Sequence, residues 1–291
     1  MSIRKTFLDE FLLTIPSFTW LFVFFLIPTL IIFGYAFKPY DIYGGITEGW
    51  TLDTIKSLAN PNYFLMIWRT LWLSSLTTLI SVALALPIGY QLACTSKKLR
   101  QILLLLIVVP FWSSFLIRIF AWKTLLHPEG AFKQFLVWAH IVNADTSLLY
   151  NSGAVLLVMV YTYLPFAVFP IYAAASKFNF QLLEAAMDLG ATRSRAFFHV
   201  LVPGIKKGIF TAVVMVFIPA IGAYVIPDLV GGSNSEMIGN KIAQRTFVER
   251  NLPQASALSA LLALSVLIPM AGLSYLTSRS KQLESVARNK E

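Results

Sequence analysis

The 291-residue chain contains six stretches of apolar residues, each long enough to cross a lipid bilayer. An α-helix rises about 1.5 Å per residue, so about 20 apolar residues traverse the hydrocarbon core. The predicted spans are residues 11–37, 70–93, 102–126, 152–176, 208–231 and 255–277. This pattern predicts an all-α, polytopic membrane protein whose single transmembrane domain, residues 1–291, contains six helices.

The composition supports the same class of protein. Hydrophobic residues make up 57% of the chain and charged residues 13%, about half the share that soluble globular domains carry. That balance excludes a disordered chain and an ordinary cytosolic enzyme, and a single cysteine, Cys94, excludes a disulfide scaffold. The first apolar run is too long for a signal peptide and lacks a small-residue cleavage site, so we expect it to remain in the mature protein.

The basic residues predict the orientation of the chain. Fourteen lysines and arginines fall in the N-terminus, the connection after the second span, residues 177–207 and the C-terminal tail, against seven in the alternate connections. Positive charge marks the cytoplasmic side, so both termini are expected there. The net charge of +9 thus reflects topology, and no nucleic-acid partner is expected. We find no phosphate loop, metal-ligand cluster or nucleophile elbow, so no metal, cofactor or catalytic residue is expected in this chain.

Residues 177–207 form the most informative connection. Helix-favouring residues run from Gln181 to Leu189, Gly190 stands where a helix commonly ends with a positive φ angle, and Thr192 can cap a second helix. Apolar residues at spacings of three and four predict a ridge pointing outward: Leu182, Ala185, Ala186 and Leu189. We expect two short helices with a tight turn between them and a partner that covers the ridge.

The same connection carries a recognisable motif. Glu184-Ala185-Ala186 is followed after three residues by Gly190, and after nine more by Val200-x-Val202-Pro203. This tract resembles the EAA signature of binding-protein-dependent ABC importer permeases. The family pattern has isoleucine and leucine where this chain has the two valines, a conservative difference that keeps the packing intact.

The resemblance implies a type I, MetI-like permease fold and a division of labour between subunits. The EAA helices of such permeases dock on a dimer of ATP-binding subunits, so Leu182 and Leu189 belong to the expected coupling surface. Ala185 and Ala186 would allow close approach, Glu184 would supply a charged contact or cap, and Gly190 the sharp exit. This chain has no Walker motif, so ATP and Mg are expected on the partner subunits.

Two longer tracts narrow the resemblance. Val109-Pro110-Phe111-Trp112 followed by Leu116 to Ile119, and Asp228 to Gly232 followed by Ile238-Gly239-Asn240, are similar to tracts of spermidine/putrescine permeases. They imply a second homologous permease subunit, an extracytoplasmic polyamine-binding protein and a place in the bacterial cytoplasmic (inner) membrane among lipids. Iron, phosphonate and other small-solute importers share the EAA motif, so they remain alternatives for the substrate.

Asp228 is the one acidic residue within the predicted spans. A carboxylate there should pair or line water. It could attract an ammonium group of a polyamine, or pair with Arg118 or Lys123 of the third predicted span, and both alternatives stand. Arg118 would repel a cation if it faced the path unpaired, so it is interpreted as a gate or latch, or as a contact for the external binding protein. Trp112 and Tyr161 are the first choices for aromatic faces along the pathway, because cation–π contacts stabilise ammonium groups.

Two other classes of function are disfavoured. An intramembrane enzyme requires paired acids or a nucleophile with a base within the spans, and a single acid does not supply them. An ion-coupled secondary transporter usually has more acids at the midplane and an inverted repeat, and the sequence has neither.

Overall fold

The computed structural model describes residues 14–41 and 45–267. Apart from an isolated antiparallel bridge between Tyr40 and Ile46, the regular structure of these residues is helical. The described residues divide into two compact units: residues 14–41, 45–64 and 241–267 form the first unit, and Leu65–Asn240 form the second. The all-α prediction is confirmed.

The helices are numbered in chain order. They are α1 (Thr14–Tyr35), α2 (Asp53–Ser57), α3 (Pro61–Cys94), α4 (Lys97–Val108), α5 (Phe115–Leu126), α6 (Ala131–Trp138), α7 (Ser152–Ala175), α8 (Gln181–Asp188), α9 (Arg193–Gly204), α10 (Lys206–Ile221), α11 (Val225–Val230), α12 (Ile238–Ala243) and α13 (Leu252–Leu267). A 3₁₀ turn, Val109–Trp112, extends α4, and π-helical turns occupy Phe197–Leu201 within α9 and Gln244–Val248 after α12.

Among the described residues, three helices are long and apolar enough to cross a membrane without interruption: α1, α3 and α7. They fall on the first, second and fourth predicted spans. The beginning of the first predicted span and the end of the sixth lie outside the described residues. The count of six spans therefore stays a prediction.

The third and fifth predicted spans are interrupted. The helical stretches Lys97–Trp112 and Phe115–Trp138 meet at 92°, at the point where Ser113 adopts an extended conformation with φ −81° and ψ 151°. In the fifth span α10 ends at Ile221, and α11 starts only at Val225. Proline lies in both broken regions, and because it lacks a backbone donor it favours such interruptions.

Helix α7 forms the centre of the second unit. Its side chains at Val155, Val158, Met159 and Ile171 are fully buried. Small residues let neighbouring helices approach it closely: a Cβ atom at Gly208 of α10 would lie 2.4 Å from the Ala174 Cβ atom. Association of membrane helices depends on such close packing, because lipid supplies no hydrophobic driving force between them.

In the first unit, a polar cluster surrounds the start of α13. Arg245 forms an ion pair with Glu249 and donates from Nη2 to the Tyr63 hydroxyl at 3.2 Å. Asn251 caps α13: its Oδ1 accepts from the Gln254 amide at 3.1 Å, and its Nδ2 donates to Gln254 Oε1 at 3.4 Å. The bond from Arg245 connects the 244–254 segment to Tyr63 in the first turn of α3, and the other contacts stabilise the segment itself.

Candidate functional site

The predicted turn after α8 is present in full. Gly190 has a φ of +89°. The Ala191 amide donates to the Ala186 carbonyl at 3.0 Å, and the Gly190 amide donates to the Met187 carbonyl at 2.9 Å. These two bonds form a Schellman motif, which satisfies carbonyls that the end of a helix otherwise leaves without partners.

The second short helix begins as the sequence predicted. Thr192 is extended, and its Oγ1 accepts from the Arg195 amide at 3.3 Å. This bond is an N-cap, which satisfies one of the free amides at the start of a helix. The α8–turn–α9 segment therefore has a conformation defined by local hydrogen bonds at both sides of the turn.

The outward ridge is shorter than the sequence predicted. Leu182 is 53% exposed and Leu189 is 89% exposed, and Ala185 is exposed between them. Leu183 is buried and Ala186 is half-buried against the core of the second unit. Including Ala186 in the ridge was wrong, because successive helical residues turn by about 100° and the core covers the face that Leu183 and Ala186 share.

An open cavity of about 850 Å³ separates α8 and α9 from the C-terminal half of α3. Leu86 and Pro87 line it from α3, and Leu183 lines it from α8. Glu184, which is exposed, and Arg193 bring opposite charges to the same cavity. The EAA segment therefore borders an open space between itself and part of α3.

Aromatic rings join α3 to this segment across the cavity. The Tyr90 ring centroid lies 6.1 Å from that of Phe180 and 5.6 Å from that of Phe197, the latter edge to face. Phe180 immediately precedes α8, and Phe197 belongs to α9. Tyr90 thus contacts both sides of the short-helix pair.

Asp228 lies at a break in the fifth predicted span. Its amide donates to the Tyr224 carbonyl at 3.0 Å in the first turn of α11, and its side chain is exposed. Within the described residues, no cationic side chain comes within 4.0 Å of its carboxylate. The expected ion pair with Arg118 or Lys123 is therefore absent from this conformation, because similar depth on two helices does not make their side chains face each other.

The two cations contact aromatic rings instead. The Arg118 guanidinium carbon lies 4.7 Å from the Phe111 ring centroid and 5.9 Å from that of Phe115, on the two sides of the break in the third predicted span. Lys123 Nζ lies 5.8 Å from the Tyr150 ring centroid. Arg118 therefore links the helical stretches that meet at 92°, a position that suits the latch inferred from the sequence.

The predicted aromatic pathway residues differ in their surroundings. Trp112 ends the 3₁₀ turn before the same break and is 78% exposed. Tyr161 packs edge to face on Trp122, with ring centroids 5.3 Å apart. Trp112 offers a free aromatic face, whereas one side of the Tyr161 ring is occupied by its neighbour.

Asn240, to which the sequence pattern assigns no role, lies at the break beside Asp228 in the structure. Its Nδ2 donates to the Tyr224 carbonyl at 2.8 Å. Next to it, a Cβ atom at Gly239 would lie only 2.6 Å from the Ala223 carbonyl oxygen. The only signal in the sequence was that the 228–232 and 238–240 tracts occur together.

The helices and the sites described above indicate the class of protein. Long apolar helices, two interrupted spans and an exposed short-helix pair are features of a polytopic membrane protein, and the described residues hold no cluster of three or more metal-ligating side chains. The family model described as "Binding-protein-dependent transport system inner membrane component" matches residues 85–281, and the chain belongs to this family.

The relatives agree with that assignment. The chain is 35% identical over 266 residues to the spermidine/putrescine transport system permease protein PotB of Haemophilus influenzae, covering 91% of this chain and 92% of the relative. It is 34% identical over 245 residues to PotB of Escherichia coli K12, covering 84% and 89%. It is 29% identical over 263 residues to the E. coli inner membrane ABC transporter permease protein YdcU, covering 86% and 84%.

A solved structure shares the fold. A chain of the crystal structure of a bacterial ABC transporter involved in the import of the acidic polysaccharide alginate superposes with a TM-score of 0.71, at 19% identity, over 95% of this chain and 97% of that chain. The predicted family and the permease fold are confirmed. As a transport permease of the inner membrane, the chain belongs to a non-catalytic class of subunit.

Proposed function

We propose that this chain is one of two homologous membrane subunits through which an ATP-driven importer moves polyamines such as spermidine and putrescine into the cell. The observation that carries the proposal is the 35% identity to a spermidine/putrescine permease over 91% of the chain. In this proposal both termini face the cytoplasm, all six spans cross the inner membrane, and an extracytoplasmic binding protein delivers the polyamine.

The coupling step uses the exposed ridge. A dimer of ATPase subunits, which binds ATP and Mg, docks on Leu182, Ala185 and Leu189, and Glu184 supplies a charged contact at its edge. When the ATPases close, the short-helix pair moves, and the contacts of Tyr90 with Phe180 and Phe197 transmit that movement to α3. The pair can act as a lever because the turn at its centre is stabilised by its own hydrogen bonds.

The pathway uses the breaks in the third and fifth spans. Asp228 is exposed and lacks a cationic partner among the described residues, so its carboxylate is available to an ammonium group. Two unit charges about 4 Å apart attract by about 4 kcal/mol at an effective dielectric constant of about 20. Trp112 and Tyr161 add aromatic faces, and Arg118 acts as the latch that holds the third-span break until the transporter opens.

Reconstitution of the whole complex tests the proposal. Permease pair, ATPase pair and binding protein are placed in liposomes, and ATP hydrolysis is measured with spermidine, putrescine, ferric ion or a phosphonate added. Spermidine or putrescine should stimulate hydrolysis severalfold and should accumulate inside the liposomes. Stimulation by ferric ion or phosphonate, without any response to polyamines, would contradict the assigned substrate while leaving the permease function intact.

A further inference from the structure

We infer that Asn240 is a positioning residue for Asp228: its side-chain amide holds the broken end of the fifth span in the conformation that presents the Asp228 carboxylate. This inference rests on the proposed role of Asp228 in the polyamine pathway. Asn240 itself is not assigned a contact with the polyamine.

A single carbonyl oxygen connects the two residues. The Tyr224 carbonyl accepts one hydrogen bond from the Asp228 amide at 3.0 Å and a second from Asn240 Nδ2 at 2.8 Å. A carbonyl has two lone pairs, so both bonds form together. The first bond belongs to the opening turn of α11, and the second connects that turn to the start of α12.

Helix α11 needs such a contact because it has little stability of its own. It contains six residues, Val225–Val230, and Tyr224 at its N-cap provides no side-chain cap. Isolated helices much shorter than about 12 residues are marginal, because the first turn fixes several residues for one hydrogen bond. The orientation of Asp228, in the first turn, therefore depends on contacts from outside the helix.

The 237–240 segment, which forms the start of α12, is well placed to supply that contact, since it is anchored in the core. The Ile238 amide donates to Thr70 Oγ1 at 2.9 Å, and Thr70, which is 1% exposed, donates in turn to the Met66 carbonyl at 2.8 Å. The Met237 amide donates to Asn240 Oδ1 at 3.1 Å, so both ends of the Asn240 side-chain amide are used.

Gly239 lets the start of α12 lie directly against the break. A Cβ atom there would sit 2.6 Å from the Ala223 carbonyl oxygen and 3.2 Å from the Tyr224 Cβ atom. At the far end of α11, the Tyr150 amide donates to the Val230 carbonyl at 2.9 Å. The helix that carries Asp228 is thus held at both ends, and Asn240 holds the end nearer to the carboxylate.

A double-mutant cycle in the reconstituted complex tests the inference. Asn240→Ser replaces the side-chain amide with a hydroxyl, which can still accept from the Met237 amide but is too short to reach the Tyr224 carbonyl. We expect this variant to raise the spermidine concentration for half-maximal uptake about 3- to 10-fold, the effect of one lost hydrogen bond. In an Asp228→Asn background the same change should have almost no effect, because the carboxylate that it positions is gone.

The control is Asn251→Ala in the first unit, which also removes one accepted and one donated side-chain bond. It should lower the melting temperature of the complex without raising the half-saturating spermidine concentration. The inference would be overturned if the double variant raised the half-saturating spermidine concentration by the product of the two single-variant factors, because the two residues would then act independently. It would also be overturned if Asn240→Ser raised that concentration while Asp228→Asn left it unchanged. If the complex transports another cation instead of spermidine, and the two substitutions are still coupled in uptake of that cation, the polyamine assignment is wrong and the inference about Asn240 stands.

Discussion

The turn at Gly190 offers the clearest test of the coupling segment. Gly190 has a φ of +89°, and a Cβ atom built there would meet nothing within 4 Å. Replacing it with alanine therefore causes no collision, and the whole cost is conformational. For an L-residue in the left-handed region that cost is about 1–2 kcal/mol.

This cost destabilises the native turn, which is closed by two hydrogen bonds. The Ala191 amide donates to the Ala186 carbonyl, and the Gly190 amide donates to the Met187 carbonyl. A change of 1–2 kcal/mol corresponds to a factor of about 5–30 in the population of the native turn. If the ATPase dimer docks only on the native turn, its dissociation constant should rise by up to the same factor. Gly190→Asn should have a smaller effect, because asparagine tolerates positive φ angles better than alanine.

The assay is binding of the purified ATPase dimer to the permease complex in nanodiscs, together with hydrogen exchange at the Gly190 and Ala191 amides. Gly34→Ala provides the control, because Gly34 lies within α1, has an ordinary φ and would also place its Cβ atom in open space. Faster exchange at both amides with unchanged binding would show that the turn is not the docking element. Unchanged exchange would refute the conformational argument itself.

Three further substitutions test other parts of the structure. Leu189→Lys places a charge on the most exposed ridge residue, so it should weaken ATPase docking at least tenfold in a binding assay without changing the melting temperature; tight docking would remove the ridge from the coupling surface. Tyr90→Ala removes the ring contact with Phe180, so ATP hydrolysis should continue while uptake per ATP falls, and unchanged stoichiometry would contradict the lever. Gly208→Val should destabilise the complex by about 1–3 kcal/mol because its Cβ atom collides with Ala174, and an unaltered melting temperature would show that α7 and α10 can separate.

The EAA segment shows where reasoning from sequence succeeds. Gly190 and Thr192 act through bonds to residues no more than four or five positions away, so their conformations follow from local rules. The face of α8 was harder to predict. Leu182, Ala185, Ala186 and Leu189 satisfy the helical spacing equally well, and the position of the core decides that Ala186 turns inward.

The pathway residues show where such reasoning stops. Asp228 and Arg118 lie at matching depth in two predicted spans, yet the arginine stacks on Phe111 and the carboxylate has no cationic partner among the described residues. Depth along a helix follows from residue number, but the direction in which a side chain points depends on how helices rotate and cross. That information is not contained in the hydropathy of either span.

The sequence by itself determined the class of the molecule, because the length and apolarity of a span are local properties and the EAA tract is contiguous. The sequence did not predict which spans are interrupted. Proline occurs in all six predicted spans, so it does not distinguish the third and the fifth from the others. Tertiary structure alone decided where those helices end and what holds their ends. The contact between Asn240 and the Tyr224 carbonyl joins residues 16 positions apart, and only the packing of the start of α12 against the break brings them within 2.8 Å.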